Sequence, residues 1–397
     1  MRPRHRLRRA LLRATARGLS ACLQPAPAVA PGSAPRVLLI RPDHLGDLLW
    51  LTPALRRLRR ACPQAEVSVA AGPWGMPVLA GNLDIDRLIP IAFPGFTRRP
   101  KGGPAAPYTY LLRAARELRR WRFDAAVVLR DDHWWGALLA ALAGIPRRFG
   151  YATPDVAPFL TDLLPPPPRQ HAALGNVDLL DALGAALGGD SPPADRHPGA
   201  LPLRFDPTPL DHRRADELLG PLAATGPAPP LIAIHPSAGA PVKLWDEGRL
   251  AAVADRLAAE FGARVVLTGG PGDGPLTGAV ARQMGHAALD LTGRTKLGEL
   301  AAVFQRCALA LGPDSGALHL AVAVGAPTVH LYGPADPVLF GPWGDPGCHR
   351  VVHAGLHCAR CGDLSASRPR GAACMLAIGV DDVLQAARPL LAGHAAQ

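Results

Sequence analysis

Short apolar runs that end in polar, glycine-bearing loops and then give way to helical periodicity recur along most of this chain. That alternation restricts the fold more than any other feature. "RVLLI" (Arg36–Ile40), "EVSVAA", "DRLIPI" and "FDAAVVL" are the first such runs, and "RRFGY" holds a further short strand. Helical stretches lie between them: Asp47–Ala61, with Leu48, Leu51, Leu55 and Leu58 at helical spacing, then "YLLRAARELRRWR" and "WWGALLAALAG". Strands alternating with helices predict a parallel sheet covered by helices on both faces. "LLPPPPRQH" cannot be helical and reads as a loop, followed by the helix "HAALGNVDLLDALGAALGG".

The pattern stops in a stretch rich in proline and charge and restarts at "PLIAIHPSAG". It then runs through the helix "DEGRLAAVADRLAAEFG", the strand "ARVVLTGG", the helix "KLGELAAVFQRC", the strand "ALALGP", the helix "GALHLAVAVG" and the strand "PTVHLYGP". A chain of 397 residues suits two domains of about 150–200 residues each. The divisions expected are a basic, flexible tail over 1–34, an α/β domain over 35–200 and an interdomain region over 201–229. A second α/β domain follows over 230–380, and a C-terminal helix over 381–397. The two halves do not read as a sequence repeat. Ligands of open parallel sheets bind beyond the carboxyl ends of the strands, and every polar cluster of note falls at such an end.

Charge sharpens this picture. The formal net charge is +11, with seven arginines among the first 17 residues and no acidic residue before Asp43. The tail is either disordered or a basic amphipathic segment for an anionic membrane surface. Nucleic acid is not expected, because no recognition motif accompanies the charge. No uninterrupted apolar run reaches the roughly 18 residues of a membrane span. "LLRATARGLSACL" is too short and too interrupted for a secretory signal. Cysteine is sparse over the first 300 residues or so, which argues against a disulfide-built secreted protein. Cys348, Cys358, Cys361 and Cys374, with His357 nearby, form a late cluster with one C-x-x-C step. It is compatible with a structural zinc, with a disulfide or with unlinked thiols.

Three constellations could carry chemistry. Asp43 and Asp47 follow the first strand, with Gly46 between them allowing close backbone approach. Each carboxylate suits either a helix N-terminus or a general base that takes a proton from an attacking hydroxyl. "HPSAGAPVKLW" offers Ser237, small residues with accessible N–H groups, and the cation Lys243, a set suited to phosphate. Its spacing does not match a P-loop. "GPDSGALHLAVAVG" places Asp314, Ser315 and Gly316 before an apolar helix and His319 one turn into it. A helix N-terminus there can bind phosphate, or Asp314 or Ser315 can simply cap it. "LTGGPGDG" fails the dinucleotide fingerprint and reads as a strand-end turn able to touch a nucleotide.

"LLIRPDHLGDLLWLTPALRRLRRACP" resembles the opening of the glycosyltransferase family 9 enzymes, the heptosyltransferase family, and "GPDSGALHLAVAVGAPTVHLYGPADP" resembles their second signature. "HPSAGAPVKLW", "RRFGY" and "HAALGNVDLLDALG" match intermediate segments in the same order. The resemblance implies a GT-B architecture, two facing doubly wound parallel-sheet α/β domains with an interdomain cleft. It implies an inverting, metal-independent transfer from a nucleotide-sugar, typically ADP-heptose, bound mainly by the second domain. The acceptor, typically a lipopolysaccharide-core intermediate, binds the first. By resemblance Asp47 is the catalytic base, with Asp43 and Gly46 shaping its loop. Ser237, Lys243, Asp314, Ser315, Gly316 and His319 bind the donor, and no cofactor is needed for catalysis. Such an enzyme is cytoplasmic, at the inner face of the membrane that carries its acceptor. The residues taken alone leave two alternatives: a non-catalytic nucleotide-sugar or glycan-binding protein, or a sugar-nucleotide epimerase on a similar fold.

Overall fold

The computed structural model describes residues 34–97, 103, 105–190, 193–222, 229–355 and 371–395. Residues 1–33 of the basic tail, together with His357, Cys358 and Cys361, lie outside the described residues. The chain divides into two units: Met1–His44 with Trp50–Asp195, and Leu45–Leu49 with Arg196–Gln397.

The first unit is built on a six-stranded parallel sheet. Its strands are β1 (Arg36–Arg41), β2 (Glu66–Ala71), β3 (Arg87–Pro90), β4 (Ala125–Val128), β5 (Arg147–Tyr151) and β6 (Asp162–Leu164), in the order β3-β2-β1-β4-β5-β6. Val37, Leu38, Leu39 and Ile40 are fully buried. A central strand of a parallel sheet is covered on both faces, so "RVLLI" is continuously apolar instead of alternating. Each such side chain contributes about 1.5–3 kcal/mol of burial. The edge strand β6 is half exposed, so "DLL" carries no run long enough to read from sequence.

The sequence periodicity predicts one helix over Asp47–Ala61, and the structure breaks it. Helix α1 (Leu45–Leu49) ends, and α2 (Thr52–Ala61) restarts with a proline in its first turn. Pro53 has no N–H to offer Leu49, and its ring crowds that residue's carbonyl, which favours a break at this point. Leu48, Leu51, Leu55 and Leu58 are nonetheless all buried.

The second unit repeats the plan with β7 (Leu231–Ile234), β8 (Arg264–Leu267), β9 (Ala288–Asp290), β10 (Leu309–Pro313), β11 (Thr328–Tyr332) and β12 (His349–His353). All pairs are parallel, in the order β12-β11-β10-β7-β8-β9. The two halves share no readable sequence repeat, yet their strand order is the same counted from each first strand. The sheet's apolar face packs on the helix Glu247–Phe261 and the C-terminal helix Val380–Ala395 through Val253, Leu257, Val383 and Leu384. The first of these is bounded by the Asp246 carboxylate, which accepts from Arg249 N–H at 2.9 Å, and by Gly262 at φ 62°. A left-handed end residue is where glycine costs least.

Candidate functional site

In a sheet of this order the connections leave in opposite directions from the first and fourth strands, and a crevice opens beyond their carboxyl ends. Both units fill that point with an ion pair. In the second unit β7 leads to His235 and Ser237, and β10 leads to Asp314 and Ser315. Lys243 Nζ reaches Asp314 Oδ2 at 2.5 Å, and the two side chains are only 17% and 8% exposed. His319 Nε2 lies 3.5 Å from Asp314 Oδ1, and the buried Tyr332 hydroxyl lies 3.3 Å from the same oxygen. Burial by itself would raise the Asp314 pKa, but the His319 hydrogen bond and the Lys243 charge outweigh it. The carboxyl is held well below its ordinary range and is ionised at neutral pH.

Ser315 caps the eight-residue helix α11 (Gly316–Ala323): its hydroxyl accepts from Leu318 N–H. The remaining first-turn N–H groups and the positive end of the helix dipole face the same loop. The helix carries His319, 2% exposed, with its ring 5.4 Å from that of His330. His235 is buried and shares a 3.0 Å hydrogen bond with Thr268; burial pushes its pKa down to about 4. It is therefore a neutral framework residue at pH 7.

Beside this cluster is a cavity of about 360 Å³ lined by Ser237, Ala238, Leu244, Glu247, Gly272 and Asp273, among others. That volume falls in the range of small-molecule sites. The loop "LTGGPGDG" contributes Gly272 and Asp273 to its wall. Asp273 Oδ2 holds that wall by accepting from Gly270 N–H at 2.7 Å.

The short helix α1 belongs to this second unit by its contacts. A Cβ added at Gly46 would stand 3.1 Å from His319 Cδ2; one at Gly316 would stand 3.0 Å from Leu45 Cβ and 3.2 Å from Gly46 N. Two facing glycines thus allow the α1 and α11 backbones to touch. Asp47 is partly exposed on α1, next to this contact.

Asp43 lies elsewhere. It is 2% exposed in the first unit, held by Arg41 at 2.8 Å and Arg130 at 2.5 Å. Burial alone would raise its pKa, but these two guanidinium groups overcome that and lower it. It is a buried framework anion that joins β1 to the loop after β4, not a helix cap. Nearby His133 is also buried, and burial pushes it down to about 4.

Sequence reasoning missed Tyr332, Glu247 and Asp273. Tyr332 reads as one more apolar strand residue, and the two acids lie on segments whose patterns announce only a helix start and a turn.

Among the described residues no group of three or more His, Cys, Asp or Glu side chains could hold a metal ion. Cys348 is exposed and Cys374 buried, both as free thiols. No described helix is long and apolar enough to cross a membrane.

A family model described as glycosyltransferase family 9 (heptosyltransferase) matches residues 111–363. The chain belongs to this family. It is a glycosyltransferase of GT-B architecture. It is 27% identical over 353 residues to lipopolysaccharide heptosyltransferase 2 of Escherichia coli, covering 83% of this chain and 91% of that one. The crystal structure of the glycosyl transferase family 9 from Veillonella parvula superposes with a TM-score of 0.74 at 26% identity, over 92% of this chain and 100% of that one. The structure of E. coli ADP-heptose lps heptosyltransferase II gives 0.68 at 22% identity, over 91% and 99%.

Proposed function

We propose that this family 9 glycosyltransferase moves a heptose from ADP-heptose to a hydroxyl of a lipopolysaccharide-core-like acceptor, with inversion and without a metal. The observation that carries this reading is the contact of α1 with α11. There Gly46 meets Gly316 and His319 within one unit, which supports grouping the neighbouring Asp47 with the motif that begins at Asp314. The names of the similar proteins supply the donor and acceptor class.

In this reading the second unit takes the donor and the first the acceptor. Asp47 accepts the proton of the acceptor hydroxyl as that oxygen bonds to the anomeric carbon. The bond from that carbon to the diphosphate oxygen breaks, and ADP leaves with the electron pair. Charge builds on the diphosphate. Lys243, the Ser237 hydroxyl and the N–H groups at Ser315 and Gly316 are the donors suited to receive it. One preorganised donor of this kind is worth about 3–4 kcal/mol in the barrier. Asp314 orients Lys243, and with His319 it borders the sugar end of the donor.

The test is ADP release and product mass with ADP-heptose and core oligosaccharides, in the presence of EDTA. The wild type should release ADP only with an acceptor. Asp47→Asn should lose about 10²–10⁴-fold in kcat while binding ADP as before. Release by Asp47→Asn at the wild-type rate removes Asp47 as the base. The basic tail is proposed to hold the enzyme at an anionic membrane; vesicle binding should fall with salt and disappear when residues 1–34 are deleted. Equal binding by the truncated chain refutes that role.

A further inference from the structure

The carboxyl end of the first unit's sheet carries an aromatic ring that stands outside the apolar cluster around Phe93 and Trp135. Trp74 follows β2, is half-buried, and is absent from the cluster formed by Leu38, Ile40, Phe93, Trp135 and their neighbours. Its position is nonetheless fixed. The indole Nε1–H donates to the Asp43 carbonyl at 2.9 Å. The ring lies against Gly72, where an added Cβ would stand 2.2 Å from Trp74 Cε2. The exposed His44 ring stands 5.7 Å away, tilted by 43°.

Asp43 ties a second group to the same place. Its carboxylate holds Arg130, which also pairs with Asp132, a side chain 61% exposed. One buried aspartate therefore anchors an indole through its backbone and a guanidinium–carboxylate pair through its side chain. The chain then runs from Asp43 and His44 directly into Gly46 and Asp47.

We propose that Trp74 is a stacking platform for a sugar ring of the acceptor, with Arg130 and Asp132 as its polar rim. A pyranose has an apolar C–H face and a border of hydroxyls. The first matches a partly exposed indole whose polar tip is already satisfied, and the second matches charged groups able to donate and accept. An indole held before binding loses little freedom on association, which is the condition for an aromatic anchor. The proposal deepens the acceptor reading given above and rests on it.

The experiment titrates the full chain with a delipidated, heptose-containing inner-core oligosaccharide by calorimetry and tryptophan emission. ADP is titrated in parallel. Trp74→Ala should weaken oligosaccharide binding about tenfold, equivalent to about 1.4 kcal/mol, with ADP affinity unchanged. In turnover the acceptor KM should rise while donor KM and kcat hold. Trp74→Phe keeps an aromatic face and should retain most of the affinity. The saturable emission change of the wild type should vanish in it, which tests the contact even if the alanine variant folds poorly. Wild-type oligosaccharide affinity in Trp74→Ala overturns the proposal alone, as does an emission change that persists in Trp74→Phe. A wild type that binds ADP but no oligosaccharide overturns the acceptor reading, and the platform with it.

Discussion

Replacing Lys243 by methionine tests the centre of the second unit most directly. The pair it forms with Asp314 is buried on both sides, at 17% and 8% exposure and 2.5 Å, so solvent screening is slight. Methionine keeps the side chain's length and removes the charge. Asp314 is then left in a desolvated place beside Tyr332 and His319. Breaking a buried pair from one side costs about 3–5 kcal/mol, whereas removing both charges is close to neutral. Lys243→Met should therefore destabilise the second unit by about 3 kcal/mol, and Lys243→Met with Asp314→Asn should recover most of it. Hydrogen exchange of the peptide spanning β10, measured against urea, reads this unit separately from the other. The sign with pH is also fixed. Asp314 titrates below its unfolded value of about 3.8, so its contribution is complete above that pH and is lost as pH falls towards the folded value. Without Lys243 one cause of the depression is gone and burial still opposes ionisation, so the acid loss should begin at higher pH. A single-variant cost under about 1 kcal/mol, or a double variant as unstable as the single, would refute the buried-pair reasoning.

Gly316→Ala should press α11 against Leu45 and Gly46 and cost about 1–3 kcal/mol; because the shift moves Asp47, kcat should fall about tenfold or more, measured by ADP release. His133 and His235, each held neutral down to about 4 against an ordinary 6.5, favour the unfolded chain once protons are available. Each should remove about 3 kcal/mol of stability as pH falls from about 6.5 to about 4, and His133→Phe should flatten that dependence in the first unit's unfolding curve. Burial pushes the Cys307 thiol up to about 12 and raises that of Cys62. Iodoacetamide at pH 8 should therefore label the exposed Cys348 in the native protein and leave Cys62 and Cys307 until unfolding, as read by peptide mass.

The sequence by itself determined which segments become central strands, because a strand covered on both faces must be apolar throughout. It also determined where the polar loops fall, since each follows such a run, and so "RPDHLGD", "HPSAG" and "GPDSG" were legible as polar loops at strand ends. Among the edge strands β3 was legible in "DRLIPI", but β6 and β12 were not. β6 and β12 are partly exposed and make no continuous apolar run, so nothing in their composition separates them from loop. The break between α1 and α2 was available in Pro53 but masked by leucines that keep helical spacing across it.

Only the tertiary structure decided who pairs with whom. Lys243 and Asp314 are 71 residues apart, and Asp43 and Arg130 are 87 apart. Strand order brings each pair together at the crevice of its own sheet. Periodicity reports the burial of an element, not its neighbour, so neither pairing nor the hydroxyl of Tyr332 at Asp314 could be read beforehand. The same limit applies to Asp43 and Asp47, which are alike in sequence, four positions apart on one loop. Packing separates them: two guanidinium groups enclose the first as a framework anion, while two facing glycines seat the second, partly exposed, on the helix that touches α11.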